Sequence, residues 1–224
     1  MVRSIPSRLL GLTSCSHKED GNNMKEHSIW FWGIAEFFFM VAFFIGIFIS
    51  CKVPVSQAQA AETNSKVLIV YFSRSGNTRE LAGQIQTATG GKLVELEPVE
   101  TYPAEYQQTV NRARQELASG ACPPLKTKID GMDAYDVILL GSPNWGGSIA
   151  PPVKTFLSEY DLSGKRIAPF MTHGGSGLGR ASIDIKSLAP QATVIDGLAV
   201  RGREVREARR EIETWIGGLG LHRD

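Results

Sequence analysis

From Ser65 onward the sequence predicts a three-layer α/β fold, a five-stranded parallel sheet with helices on both faces. Three observations carry this. Apolar, β-branched runs alternate with stretches of helical periodicity. Three of those runs, KVLIVYF, YDVILLG and RIAPFMT, are apolar almost throughout, as strands buried on both faces are. Glycines and prolines fall at several of the boundaries where a helix should stop or start.

The elements follow in order. KVLIVYF is the first strand. Asn77 to Thr89 places Leu81, Ala82, Ile85 and Ala88 on one helical stripe, and Gly90-Gly91 ends it. KLVELEP alternates apolar and polar residues, so it is placed at a sheet edge with one polar face. Ala104 to Ser119 is a helix stopped by Gly120. GACPPLKTKIDGMDAYD has no periodicity and reads as surface wrapping. YDVILLG is the third strand, and Pro151-Pro152 suits the first turn of a helix reaching Tyr160. RIAPFMT is the fourth strand, Gly179 to Leu188 a short helix, ATVIDGLAV the fifth strand and Glu204 to Ile216 the last helix. Strands alternating with helices are joined by right-handed crossovers, which makes them parallel.

The first 60 residues differ in character. FFFMVAFFIGIFIS, Phe37 to Ser50, is apolar except at its end, with Arg3, Arg8, Lys18 and Lys25 before it. Ala58-Gln59-Ala60 fits the small-x-small rule for signal peptidase, so cleavage after Ala60 would leave residues 61–224 as the mature domain. MKEHSIW makes Met24 a candidate start. An uncleaved membrane anchor is the competing reading, and lipidation at Cys51 a weaker third. In each case the positive-inside bias sends the domain out of the cytoplasm, to a periplasmic or other extracytoplasmic place.

The formal net charge is +1 with no clustered basic run, which argues against nucleic acid as partner. RGREVREARREIE interleaves Arg with Glu and reads as a solvated, ion-paired helix face. Cys122 alone follows Ala61, so no disulfide closes within the domain and no metal-ligand spacing exists.

Ligands of open α/β sheets bind outside the C-terminal strand ends, where the strand order reverses. Three loops leave those ends here. The first is Ser73-Arg74-Ser75-Gly76-Asn77-Thr78, ahead of a helix. Free N–H groups, the positive helix end, hydroxyls and an amide suit a phosphate there; a simple helix cap is the plainer alternative. The spacing is not that of a Walker loop, so no metal-bound triphosphate is implied. The second is Gly141 to Gly147, GSPNWGG, in which Trp145 either stacks on a flat ligand, or covers the sheet edge or packs against the next helix. The third is Thr172 to Arg180, THGGSGLGR. Its Gly175-x-Gly177 begins like a dinucleotide fingerprint, but Arg180 stands where the third Gly belongs. His173 is free to bond a ligand or the neighbouring backbone. No G-x-S-x-G elbow surrounds any of these serines, which argues against serine hydrolase chemistry.

Together these loops resemble the flavodoxin family, whose members bind FMN. S-x-S-G-N-T resembles its phosphate-binding loop, and the other two loops match its isoalloxazine-flanking loops in position. The resemblance covers roughly Lys66 to Ile216 and implies the strand order 2-1-3-4-5. It implies Ser73, Arg74, Ser75, Gly76, Asn77 and Thr78 around the phosphate. It implies Pro143, Asn144, Trp145 and Gly146 on one side of the ring, and Thr172, His173, Gly174, Gly175, Ser176 and Gly177 on the other. The flavin would carry the chemistry, with no protein residue assigned as catalytic and no metal. The third loop lacks the aromatic residue that many flavodoxins place there. From Ala61 the chain has 19 Lys+Arg and 19 Asp+Glu, so the acidic surface of electron-carrier flavodoxins is missing. YPAEYQQTVNRARQE and PPVKTFLSEYDLSGKR look like the branch related to flavin-dependent reductases. The expectation is an FMN-binding redox protein acting on a partner protein or a small-molecule acceptor. The alternative is a module that holds flavin, or another phosphate ligand, without turnover.

Overall fold

A computed structural model describes residues 66–221. The signal or anchor segment, Met24, Cys51 and the cleavage position after Ala60 all lie outside the described residues. Among the described residues no helix is long and apolar enough to cross a membrane.

The sheet is built on β1 (Val67–Tyr71), β2 (Lys92–Glu95), β3 (Val137–Trp145) and β5 (Arg166–His173), all parallel. A short β4 (Ser148–Ile149) folds back antiparallel on β3. The far edge is β6 (Thr193–Val194) and β7 (Leu198–Arg201), both parallel to β5. The spatial order is β2-β1-β3-β5-β6, so the order reverses between β1 and β3 as expected of this fold class. The helices are α1 (Asn77–Thr89), α2 (Tyr106–Ser119), α3 (Pro151–Glu159), α4 (Ala181–Leu188) and α5 (Arg209–Gly218).

Strict alternation along the buried strands feeds two cores. Ile69, Leu139 and Phe170 meet Leu81 and Ile85 of α1 and Ile212 and Ile216 of α5 on one face. Val70, Ile138 and Met171 meet Val153 and Phe156 of α3 and Ile185 of α4 on the other. Helices therefore cover both faces.

The strand order differs slightly from the simple five-strand expectation, for local reasons. ATVIDGLAV is two strands. Thr193–Val194 pairs with Arg166 and Ile167, and Leu198–Arg201 pairs with Phe170 to His173. Pro169 lies at the gap and has no N–H to donate. The opposing chain bulges past it, and a Cβ on Gly197 would stand 2.8 Å from the Pro169 ring and carbonyl. The second expected loop is largely strand. β3 runs on to Trp145 and turns into β4 through Gly146 and Gly147, at φ 59° and 87°, the two-residue turn that needs positive φ twice. Helix α2 starts at Tyr106, two residues later than expected, because Glu105 caps it by accepting from the Gln107 and Gln108 amides at 2.9 and 2.7 Å. The expected last helix opens with a 3₁₀ segment, Gly202–Glu207.

One position in the sheet tolerates nothing larger than glycine. A Cβ on Gly141 would lie 2.2 Å from the Phe170 ring and 2.7 Å from Tyr71 Cβ. Gly141→Ala is expected to lower stability by about 1–3 kcal/mol through overpacking. Urea unfolding should show a lower midpoint with an unchanged slope.

Burial, and then the hydrogen bond to Glu95, push the Tyr71 hydroxyl up to about 12. A folded-state value raised above the unfolded one (about 10) means stability that is complete below pH 10 and lost as pH climbs towards 12. Tyr71→Phe should therefore flatten the fall in stability between pH 10 and 12, read from thermal midpoints against pH.

Candidate functional site

The turn from β1 into α1 is shaped by Gly76, at φ 94° in the left-handed region. Its amide donates to Ser73 Oγ at 3.2 Å, and its carbonyl accepts the Glu80 amide at 2.9 Å. Among the described residues, the amides of Ser75, Asn77, Thr78 and Arg79 meet no acceptor. No side chain caps this helix, so the plain capping alternative does not hold. These donors, with the positive helix end, make a seat for an anion.

The side chains of the first loop divide into distinct roles. Ser75 and Asn77 are exposed and face a cavity of about 360 Å³. Thr78 is 1% exposed, and its hydroxyl is hydrogen-bonded to the Thr172 hydroxyl at 2.8 Å. That pair braces the first loop against the third and leaves the Thr78 side chain occupied. Ser73 is buried and shapes the turn. Arg74 turns away: its Nη2 donates to the Ala104 carbonyl at 2.6 Å, and it lines a separate 280 Å³ pocket with Phe72 and Tyr102.

The second loop is held in shape by Asn144. Its Oδ1 accepts the Gly147 amide and its Nδ2 donates to the Gly177 carbonyl, each at 3.0 Å. Pro143, Asn144 and Trp145 line the cavity, and Gly146 is exposed on the turn. Trp145 is packed among aromatic residues and is also open to the cavity. Its ring meets Phe72 and Tyr102 edge-on, at 5.5 and 4.9 Å between centroids, and the residue still lines the cavity. Tyr102 is itself fixed by a hydrogen bond to Glu116 at 2.5 Å and by Arg112, 4.4 Å above its ring. Burial, then that bond to Glu116, push the Tyr102 hydroxyl far up, so it stays neutral.

The third loop contributes Thr172, His173 and Gly174 to the same cavity. Among the described residues the buried His173 Nδ1 has no hydrogen-bond partner, and it is a polar atom that a ligand group would satisfy. Gly175, Ser176 and Gly177 are outside the lining; the Gly177 carbonyl serves Asn144, and the Ser176 carbonyl accepts the Gly179 amide at 3.3 Å. The glycine richness has a packing cause at Gly179, where a Cβ would stand 2.4 Å from the Gly147 carbonyl.

Four further lining residues escaped sequence reasoning: Tyr106, Arg201, Gly202 and Arg203. Tyr106 is 69% exposed at the start of α2. Arg201 ends β7 and so leaves the helix face assigned to RGREVREARREIE, whereas Arg203, exposed and paired with Glu204 in the 3₁₀ segment, keeps that role while also bordering the cavity. Gly202 separates them ahead of α5, at the C-terminal end of β7, the same sheet edge as the three loops. The strand-end rule would have found them had the fifth strand been followed to its last residue.

The chain is similar to a known family and to solved structures. The family model described as flavodoxin matches residues 66–218. A candidate flavoprotein from Bacteroides eggerthii is 27% identical, with a TM-score of 0.63, over 70% of this chain and 99% of that one. A flavoprotein from Lactobacillus acidophilus, solved in complex with FMN, is 31% identical with a TM-score of 0.54, over 64% of this chain and 97% of that one.

Gly179→Ala and Gly177→Ala separate packing from backbone strain. Both residues have positive φ, 55° and 61°, but only Gly179 lacks room for a Cβ. Gly177→Ala should cost about 1–2 kcal/mol from the left-handed backbone alone. Gly179→Ala should cost about 1–3 kcal/mol beyond that, because the second and third loops must part; paired urea melts give the difference. With the sheet order, the three loops at its reversal point and the match over most of its length, the chain belongs to the flavodoxin family.

Proposed function

We propose that this protein binds FMN in the cavity between its three loops and works outside the cytoplasm as a redox protein. It would pass electrons to a partner protein or reduce a small-molecule acceptor. The observation that carries the reading is that one 360 Å³ cavity is lined both by Ser75 and Asn77, whose amides meet no acceptor among the described residues, and by Trp145, braced at the end of β3. A phosphate ester joined to a flat ring needs both. The Lactobacillus relative solved with FMN supports the same ligand.

In this reading the Ser75, Asn77, Thr78 and Arg79 amides and the Ser75 hydroxyl hold the phosphate. Trp145, kept in place by Phe72 and Tyr102, borders the ring, and His173 and Gly174 border it from the third loop. FMN supplies the redox chemistry when bound. The protein's part is to bind, orient and exclude water, and no side chain is assigned as general acid or base. The export-type N-terminus supports an extracytoplasmic role. There, free pyridine nucleotide is not expected, which favours a membrane or periplasmic electron donor. Recovery of the native protein in the cytoplasmic fraction would remove that part.

The second reading, a flavin-holding module without turnover, is favoured by the absence of an aromatic residue from Thr172 to Gly177. One experiment separates them. The purified full chain, supplied with FMN, should show a bound-flavin spectrum that bleaches with dithionite and returns in air. A chain that ignores FMN overturns both flavin readings; bound flavin that resists reduction leaves the module. Trp145→Ala should weaken FMN by about 0.5–1.5 kcal/mol, measured by flavin fluorescence titration.

A further inference from the structure

We infer that Arg201 is a binding residue for the cofactor's phosphate and sets the preference for FMN over a flavin that lacks one. The inference rests on the FMN reading above.

A phosphate near neutrality carries close to two negative charges. Neutral amides and hydroxyls of the first loop meet part of this, but that loop supplies no cation to the cavity. Its arginine, Arg74, is turned away to the Ala104 carbonyl. The cations of the cavity come from Arg201 and Arg203, and no carboxylate is among its lining residues.

The position of Arg201 follows from strand pairing. Arg201 ends β7 directly opposite His173, the last residue of β5. The next residue, Gly202, presses on the phosphate loop itself: a Cβ there would stand 2.6 Å from Asn77 Nδ2 and 4.0 Å from the His173 carbonyl. The Arg201-Gly202-Arg203 turn is therefore packed on the residue that opens α1, where the free amides are.

Arg201 is also available. Arg203 is engaged with Glu204 at 3.1 Å, and Arg209 with Glu213 at 2.8 Å. Among the described residues the Arg201 guanidinium has no hydrogen-bond or ion-pair partner, although it stands at the head of a stretch rich in glutamate. A planar guanidinium with open donors, on a residue that lines the same cavity as Ser75 and Asn77, can make charge-assisted, paired contacts to a phosphate that a neutral loop does not.

The test compares affinities of the full chain for FMN and riboflavin by flavin fluorescence quenching, at low and high salt. The proteins are wild type, Arg201→Gln, Arg201→Lys and, as a control on α5, Arg210→Gln. Arg201→Gln is expected to weaken FMN about tenfold, leave riboflavin unchanged and flatten the salt dependence of FMN binding. Arg201→Lys, which keeps the charge but not the paired contacts, should fall between wild type and Arg201→Gln, and Arg210→Gln should keep all of the affinity. Equal FMN affinity in wild type and Arg201→Gln overturns the inference and leaves the FMN reading standing. An equal loss for FMN and riboflavin also overturns it, since the contact would then be to the ring or to the fold. A wild-type chain that binds neither flavin overturns the FMN reading, and this inference with it.

Discussion

The structure depends on one row across the sheet, Tyr71 beside Gly141 beside Phe170. Gly141 lets the Tyr71 and Phe170 side chains close over its own missing Cβ, which locks the parallel register of β1, β3 and β5. With that register set, the next residues of each strand emerge at the same level. Ser73, Pro143 and Thr172 follow within a few residues, and the cavity they border is a consequence of the pairing. A slip of one residue would turn Val70, Ile138 and Met171 from one core to the other. The buried faces therefore hold the site in place.

The loops are then tied to one another by polar contacts of low exposure. The Thr78–Thr172 hydroxyl pair joins the first loop to the third, and Asn144 joins the second to the third. The Thr78–Thr172 pair is buried and costly to leave unmade, and the part-buried Asn144 bond adds to it, which favours a single arrangement of the loops. Residues that brace are thereby separated from residues left open. Thr78, Ser73 and Asn144 hold the frame; Ser75, the α1 amides, Trp145 and His173 are available to a ligand.

Much of this was legible in the residues. Apolar runs such as KVLIVYF and YDVILLG identify buried parallel strands, and a hydroxyl-rich turn before a helix identifies an anion seat. The rest depended on partners distant in sequence. Pro169 splits the strand opposite it, which no periodicity in ATVIDGLAV reveals. SRSGNT does not say that Arg74 will find the Ala104 carbonyl, or that Thr78 will meet Thr172, 94 residues away. Arg201 and Arg203 look like members of a charged helix because Glu follows them at helical spacing. Their place at the cavity follows from where β7 ends, one residue beyond the ATVIDGLAV run. Tyr106 belongs to the same class, an exposed aromatic whose use is set by where α2 begins.

The central claim is that the three loops form one flavin site at the C-terminal strand ends. Backbone and indole N–H chemical shifts of the full chain, followed while FMN is added, test it most directly. The account predicts the largest shifts at the Ser75 to Arg79 amides, the Trp145 indole, the His173 and Gly174 amides and the Arg201 to Arg203 turn. Shifts concentrated elsewhere, such as the cleft between α1 and α5 lined by Gln84 and Arg209, or no shifts at all, would contradict it.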